Sequence, residues 1–190
     1  MSGAARREQI LDVTHAIVDA EGFHAATPNR IAAEAGVTRP VLYQQFGDVA
    51  GIFVALIDRE GARAADQFAK AVGAPAAVEG DGPLMRTFEG ILRAIDASPA
   101  SWRLFLIPPE GAPPELHQRL ADSTDRVRRF IQEQLTRTFP DLADPEYAAR
   151  IVHAVGRELL LLRLTEPDKA TTNRLVALLR EIVGQVPRRH

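Results

Sequence analysis

The sequence predicts an all-α fold. Three observations carry that expectation. Apolar residues recur at spacings of three and four along most of the chain, alanine is abundant while β-branched runs are short, and two-residue alternation never persists. No internal repeat or low-complexity tract interrupts the pattern.

The elements follow in order. Ile10, Val13, Ile17 and Ala20 form an apolar stripe that predicts a first helix over 5–20, ended by Glu21-Gly22. Thr27 is a good N-cap and Pro28 suits the first helical position, so a short second helix starts there, buries Ile31 and Ala35, and stops at Gly36. Thr38 opens a third helix that tolerates Pro40 in its first turn and turns Leu42 and Phe46 inward. Asp48 caps a fourth, longer helix to about residue 71, with Ile52, Phe53 and Leu56 on its buried face. Residues 72–83, rich in Gly, Pro and Ala, read as a loop. Further helices are expected at 84–97, 100–106, 114–139, 145–164 and 169–186, separated at Pro99, at the 108–113 proline-rich stretch, at 140–144 and at Pro167.

The helix at 145–164 is apolar over a broad arc: Tyr147, Ile151, Val155 and Leu162 make one stripe, and Val152, Leu159 and Leu160 widen it. Such a helix covers its own core and something else, for which a partner subunit is the simplest candidate.

Composition removes several classes. The chain has 190 residues, 46% of them hydrophobic, no cysteine, and 23 Lys+Arg against 25 Asp+Glu for a net charge of −2. That length suits one ordinary domain or two small ones. The missing cysteine rules out disulfides, a thiolate nucleophile and a zinc finger. The first residues carry no signal-peptide core, and the longest apolar run, 49–57, falls far short of the roughly 20 residues a spanning helix needs. The chain is therefore expected to be soluble and cytoplasmic, away from membranes.

Enzyme motifs are missing. The one Glu-x-x-His unit, Glu21 to His24, straddles the helix end at Gly22. Glu115 and His117 stand two apart and so point to different faces. There is no zinc-protease helix motif, nucleophile elbow, phosphate-cradling glycine loop or dinucleotide fingerprint. Neither catalysis nor a cofactor is expected.

Residues 27–46 have the layout of a helix-turn-helix, in which the second helix enters the major groove while the first crosses the backbone. Gly36 permits the tight turn. Ile31, Ala32, Val37, Leu42 and Phe46 supply the inner faces, and Thr38, Arg39, Val41, Gln44 and Gln45 stand on the outer face of the second helix.

The run Ile31-Ala32-Ala33-Glu34-Ala35-Gly36-Val37-Thr38-Arg39-Pro40-Val41-Leu42-Tyr43-Gln44-Gln45-Phe46 resembles the signature of the TetR family of bacterial transcriptional regulators. Ile10-Leu11, Glu21-Gly22-Phe23 and Thr27 fit the same pattern, and the resemblance covers residues 7–56. It implies a three-helix DNA-binding domain over 4–60 and a helical effector-binding and dimerisation domain over 61–190. The implied partners are double-stranded operator DNA and a small, largely apolar effector, with a homodimer formed through helices 145–164 and 169–186. The implied activity is that of a repressor released by its effector.

The resemblance also assigns roles. Thr38 becomes the cap whose hydroxyl and N–H meet a phosphate, and Tyr43 a second backbone contact that also packs on the first helix. Arg39 is the candidate for a guanine edge, Pro40 and Val41 for a thymine methyl, and Gln44 for an adenine edge or a phosphate. Thr27 and Arg30 are candidate phosphate contacts from the supporting helix. One departure stands out: where the family usually has a lysine, this chain reads Gly47-Asp48-Val49-Ala50, which implies a shallower salt dependence.

In the C-terminal region Phe88, Trp102, Phe105 and Leu106 either line a ligand cavity or fill the core. Glu158, among leucines, needs Arg157, Arg163 or a cationic effector as partner, and is a candidate pocket residue with Phe88, Trp102 and Phe105. His117 and His153 read as ordinary helix residues. The alternative function is a helical ligand-binding or scaffolding dimer whose DNA-binding domain has degenerated. Residues 1–47 carry four arginines against five carboxylates, so no hidden basic patch offsets the neutral total. DNA binding here would rest on hydroxyls, helix N-termini and a few arginines.

Overall fold

The computed structural model describes residues 2–75 and 81–184. Among them are nine α-helices and no strand, the all-α class that the periodicity predicts. Packing divides the chain into two units, Met1–Arg63 with Arg103–Ala121, and Ala64–Trp102 with Asp122–His190. No single helix among the described residues is long and apolar enough to cross a membrane.

The first unit is built on α1 (Gly3–Glu21), capped by the Ser2 hydroxyl, which accepts from the Ala5 N–H at 3.2 Å. A 3-10 turn at Phe23–Ala25 follows, then α2 (Pro28–Glu34), α3 (Arg39–Phe46) and the start of α4 (Val49–Gly73). The Asp48 carboxylate accepts from the Gly51 N–H at 2.7 Å and caps α4 as expected. Ile10 and Ile17 of α1, Ile31 of α2, Leu42 of α3, and Ile52 and Leu56 of α4 meet in one buried core. Phe23 packs edge-on against Phe53 with ring centroids 5.0 Å apart. Leu104 and Leu116, from the 103–121 segment, complete that core.

An ionic cluster ties α1 to α4 inside this unit. Glu60 is fully buried; Arg59 Nε donates to it at 2.9 Å and Arg63 Nη1 at 2.8 Å. Arg59 also reaches Asp12 at 2.8 Å and Glu8 at 3.1 Å on α1. A buried carboxylate needs such partners, because removing either leaves an uncompensated charge.

The second unit contains the rest of α4, then α5 (Pro83–Ala97), the start of α6 (Pro99–Leu106), the later part of α7 (Pro114–Thr138), α8 (Pro145–Thr165) and α9 (Thr172–Gly184). α5 packs against both α8 and α9. Ile131, Leu135 and Ala149 are buried together, with Leu84, Val127 and Phe130 around them. Gly90 lets α5 approach α4 closely: a Cβ there would lie 2.6 Å from the Ala71 Cβ. Asp96 holds the end of α8 and the start of α9, accepting from Arg163 at 2.7 Å and from the Thr172 hydroxyl at 2.9 Å.

Helix boundaries match the sequence expectations within a few residues, with one larger difference. The last helix starts at Thr172, not 169, because Lys169 and Ala170 donate back to the Glu166 carbonyl at 3.0 and 2.8 Å and complete a turn first. Thr171 then caps the helix through its hydroxyl, which accepts from the Arg174 N–H at 3.3 Å. The expected end at 186 lies outside the described residues.

Candidate nucleic-acid interface

The supporting helix and the turn are set by local chemistry. Thr27, extended at φ −75° and ψ 154°, accepts from the Arg30 N–H at 3.3 Å, and Pro28 fills the first turn where no donor is needed. At the other end the Gly36 N–H donates to the Ala33 carbonyl at 3.2 Å and the Val37 N–H to the Ala32 carbonyl at 2.9 Å. This double closure requires a left-handed residue between α2 and the next segment, and Gly36 takes it at φ 62°. The chain therefore reverses in three residues and enters α3 at Thr38.

α3 buries Leu42 completely and Phe46 partly, and turns its other side to solvent. Thr27, Thr38, Arg39, Pro40 and Gln44 are exposed; Arg30, Val41 and Tyr43 are half-buried. All eight predicted contact residues thus lie in the α2–turn–α3 segment with accessible surface. Thr38 takes the N-cap position at φ −93° and ψ 155°, but its hydroxyl makes no capping bond. That hydroxyl is free for another acceptor. The Arg39 N–H belongs to the first turn, where no intrahelical carbonyl is available.

Two arginines behave differently. Arg39 Nη2 donates to the Tyr43 hydroxyl at 3.0 Å, with the guanidinium 5.7 Å from the ring centroid. Arg30 is held by carboxylates: its terminal nitrogens lie 2.6 and 2.8 Å from the two Glu21 oxygens, and its Nε lies 2.8 Å from Glu34. The hydrogen bond from Arg30 holds the Glu21 carboxyl below its usual range, and the two acids raise the Arg30 pKa further. Val49 is half-buried at the first position of α4.

Two residues that the sequence reading did not single out brace the segment from α1. Arg7 Nη1 donates to the Gln45 carbonyl at 2.6 Å and lies over the Phe46 ring at 4.2 Å. Gln9 Nε2 donates to the Ala35 carbonyl at 3.1 Å. No local pattern signals either contact, because the partners stand 38 and 26 residues away.

The four candidate ligand residues are not brought into one unit. Phe105 packs on the core of the first unit. Phe88, Trp102 and Glu158 belong to the second, where Trp102 is buried and its indole N–H donates to Gln67 Oε1 at 2.8 Å. Phe88 is half-buried and Glu158 is exposed on α8.

Comparison with known proteins adds to this geometry. Residues 10–56 match the family described as bacterial regulatory proteins, tetR family. A TetR-like transcriptional regulator from Rhodococcus sp. RHA1 has 25% identity and a TM-score of 0.73, covering 97% of this chain and 100% of that one. The TetR family match thus lies in the N-terminal segment, and the whole chain shares the fold of a TetR-like regulator. Among curated relatives, the HTH-type transcriptional activator FasR of Mycolicibacterium smegmatis is 39% identical over 54 residues, 28% of this chain and 25% of that protein. The chain thus matches only about a quarter of that relative's length. The regulator FadR from Bacillus subtilis, solved in complex with stearoyl-CoA, shares the fold at 16% identity, with a TM-score of 0.67 over 90% of this chain and 96% of that one.

Proposed function

We propose that this chain is a homodimeric, DNA-binding transcriptional regulator of the TetR family that acts in the cytoplasm as a repressor and is released by a small, largely apolar effector. One observation carries the DNA reading. An eight-residue helix, backed by the fully buried Leu42, presents the free Thr38 hydroxyl, Arg39, Pro40, Tyr43 and Gln44 on its open side. The hydroxyls and N-terminal N–H groups suit phosphates, and Arg39 suits a base edge. No part of this arrangement supplies catalysis.

The exposed apolar surface supports a dimer of two copies. Six of the eight exposed large apolar side chains among the described residues are Tyr147, Ile151, Val152 and Val155 on α8 and Leu178 and Ile182 on α9. Tyr147, Ile151 and Val155 recur every fourth residue, as do Leu178 and Ile182, so each helix offers a continuous stripe suited to a self-complementary interface. Two recognition helices would then have to sit about 34–36 Å apart to enter successive major grooves. An effector that prefers another spacing lowers operator affinity by its differential binding to the two states, about 1–3 kcal/mol. Phe88, Trp102 and Glu158 are the proposed contacts on the effector side.

The alternative is a ligand-binding or scaffolding dimer with a degenerate reading head. Val49 and the carboxylate-bound Arg30 favour it. Selection of DNA from a random pool decides between the two. Enrichment of a palindromic sequence, competed poorly by unrelated DNA, supports the regulator; no enrichment supports the alternative. A reporter under the selected sequence then tests the sign, with increased transcription in the presence of the protein overturning the repressor assignment.

A further inference from the structure

We infer that Arg7 and Gln9 of α1 are positioning residues for base recognition: they fix the tilt of α3 from its C-terminal end and from the turn that leads into it, without touching DNA. The inference rests on the DNA-binding reading above. α3 has eight residues, about 12 Å of helix, and Leu42 is its one fully buried side chain. A single central anchor leaves a short rod free to roll and tilt. Its ends therefore decide where the outer side chains point.

The C-terminal end of α3 and the start of the turn before it are held from α1. At the C-terminal end the last-turn carbonyl of Gln45, which no helical N–H reaches, accepts from the Arg7 guanidinium at 2.6 Å. The same guanidinium lies over Phe46 at 4.2 Å. Before the turn, Gln9 donates to the carbonyl of Ala35, the C-cap of α2, at 3.1 Å. Arg7 and Gln9 stand two positions apart on α1, so their side chains diverge by about 200° around the helix and reach opposite ends of the turn and α3. Base contacts depend on aligned forks of donors and acceptors, whereas phosphate contacts tolerate small shifts. Loosening the brace accordingly lowers discrimination between sequences more than it lowers bulk DNA affinity.

The test uses the full-length chain and the DNA that the unaltered protein enriches from a random pool, with an unrelated duplex as control. Arg7→Met and Gln9→Met are each expected to lower the ratio of specific to nonspecific affinity by about fivefold to tenfold, the loss of one to two hydrogen bonds' worth of alignment. The slope of affinity against salt should stay within about half a unit, because no phosphate contact is removed. Arg7→Lys, which keeps a donor and a cation, should recover most of the ratio. Gln9→Met removes the buried Oε1 that has no hydrogen-bond partner as well as the donor to the Ala35 carbonyl, so the two effects on stability oppose each other and the melting temperature should change little while the ratio falls. A merely structural role would move the melt and leave the ratio alone.

An unchanged ratio in both variants overturns the inference. So does an equal loss on both duplexes with a salt slope shallower by about one, which would make Arg7 a phosphate contact. If Arg7→Met does not fold, Gln9→Met decides the matter alone. If the unaltered chain enriches no sequence, the regulator reading falls and takes this inference with it; enrichment with insensitive variants overturns the inference only.

Discussion

Arg39 donates to the Tyr43 hydroxyl at 3.0 Å, one turn along α3, and so these two side chains act as a pair. The phenol accepts from the guanidinium and keeps its own proton for a further acceptor, while four arginine N–H donors remain. On this geometry Tyr43→Phe frees Arg39 as well as deleting a donor. Tyr43→Phe should weaken binding to all sequences and also blunt selectivity. Arg39→Ala should cost about 1–3 kcal/mol of discrimination at one base position, with a smaller loss on nonspecific DNA. Titrations on both kinds of duplex check this, and equal losses for Arg39→Ala would make it a phosphate contact.

Arg30 offers the contrary case. Glu21 and Glu34 occupy three of its nitrogens, so a phosphate must displace a carboxylate to reach it. Glu34→Gln removes one competitor and one negative charge near the interface. Its expected result is tighter DNA binding with a steeper salt slope, measured by titration over a range of salt. Weaker binding would mean that the carboxylate orients Arg30 usefully.

Val49 sets the baseline of that slope. Its half-buried place at the start of α4 leaves room for a long side chain to reach solvent. Val49→Lys should steepen the dependence of log affinity on log salt by about 0.9, one added phosphate contact. An unchanged slope would show that this position does not face the backbone.

For assembly, the decisive stripe is Tyr147, Ile151 and Val155. Ile151 is 65% exposed, so Ile151→Glu leaves the isolated fold intact and places a charge in any interface built on α8. The variant is expected to run as a monomer by light scattering at micromolar concentration, and to lose operator binding. A dimer of unchanged mass would move the interface elsewhere.

His153 gives the pH dependence a sign. Burial, and then the Arg128 and Arg157 charges, lower its pKa from the ordinary 6.5. The unfolded chain therefore takes up this proton at a higher pH than the folded one. Its effect is nil well above that ordinary value, and stability falls as pH drops through it. Thermal melts at about pH 7.5 and pH 5.5 should show a smaller loss for His153→Gln than for the unaltered chain. Equal losses would place the titrating group elsewhere.

What the sequence made legible was local. Thr27 with Pro28, Gly36 and Asp48 each act within five residues, so spacing alone located the turn, the start of α2 and the start of α4. The outer face of α3 followed from the same periodicity. What stayed hidden was non-local. Trp102 and Phe105 stand three apart on α6, a pairing that reads as one cluster, yet they belong to different units. Glu21 reaches Arg30 across a helix end nine residues away, and Arg7 reaches Gln45 across 38. Residues 103–121 complete a core whose other members precede residue 58, which no window of the sequence announces.

Trp102 is the only tryptophan in the chain, and it is buried in the second unit with its indole N–H on Gln67. Its emission is therefore an optical label confined to one half of the molecule. Far-ultraviolet ellipticity, by contrast, sums the helices of both halves. The protein carries an internal means of asking whether its halves melt as one cooperative body, since coincident curves from the two signals are the mark of a single transition. The same indole is itself one of the side chains proposed for the effector, so a compound that meets it announces itself without any attached dye.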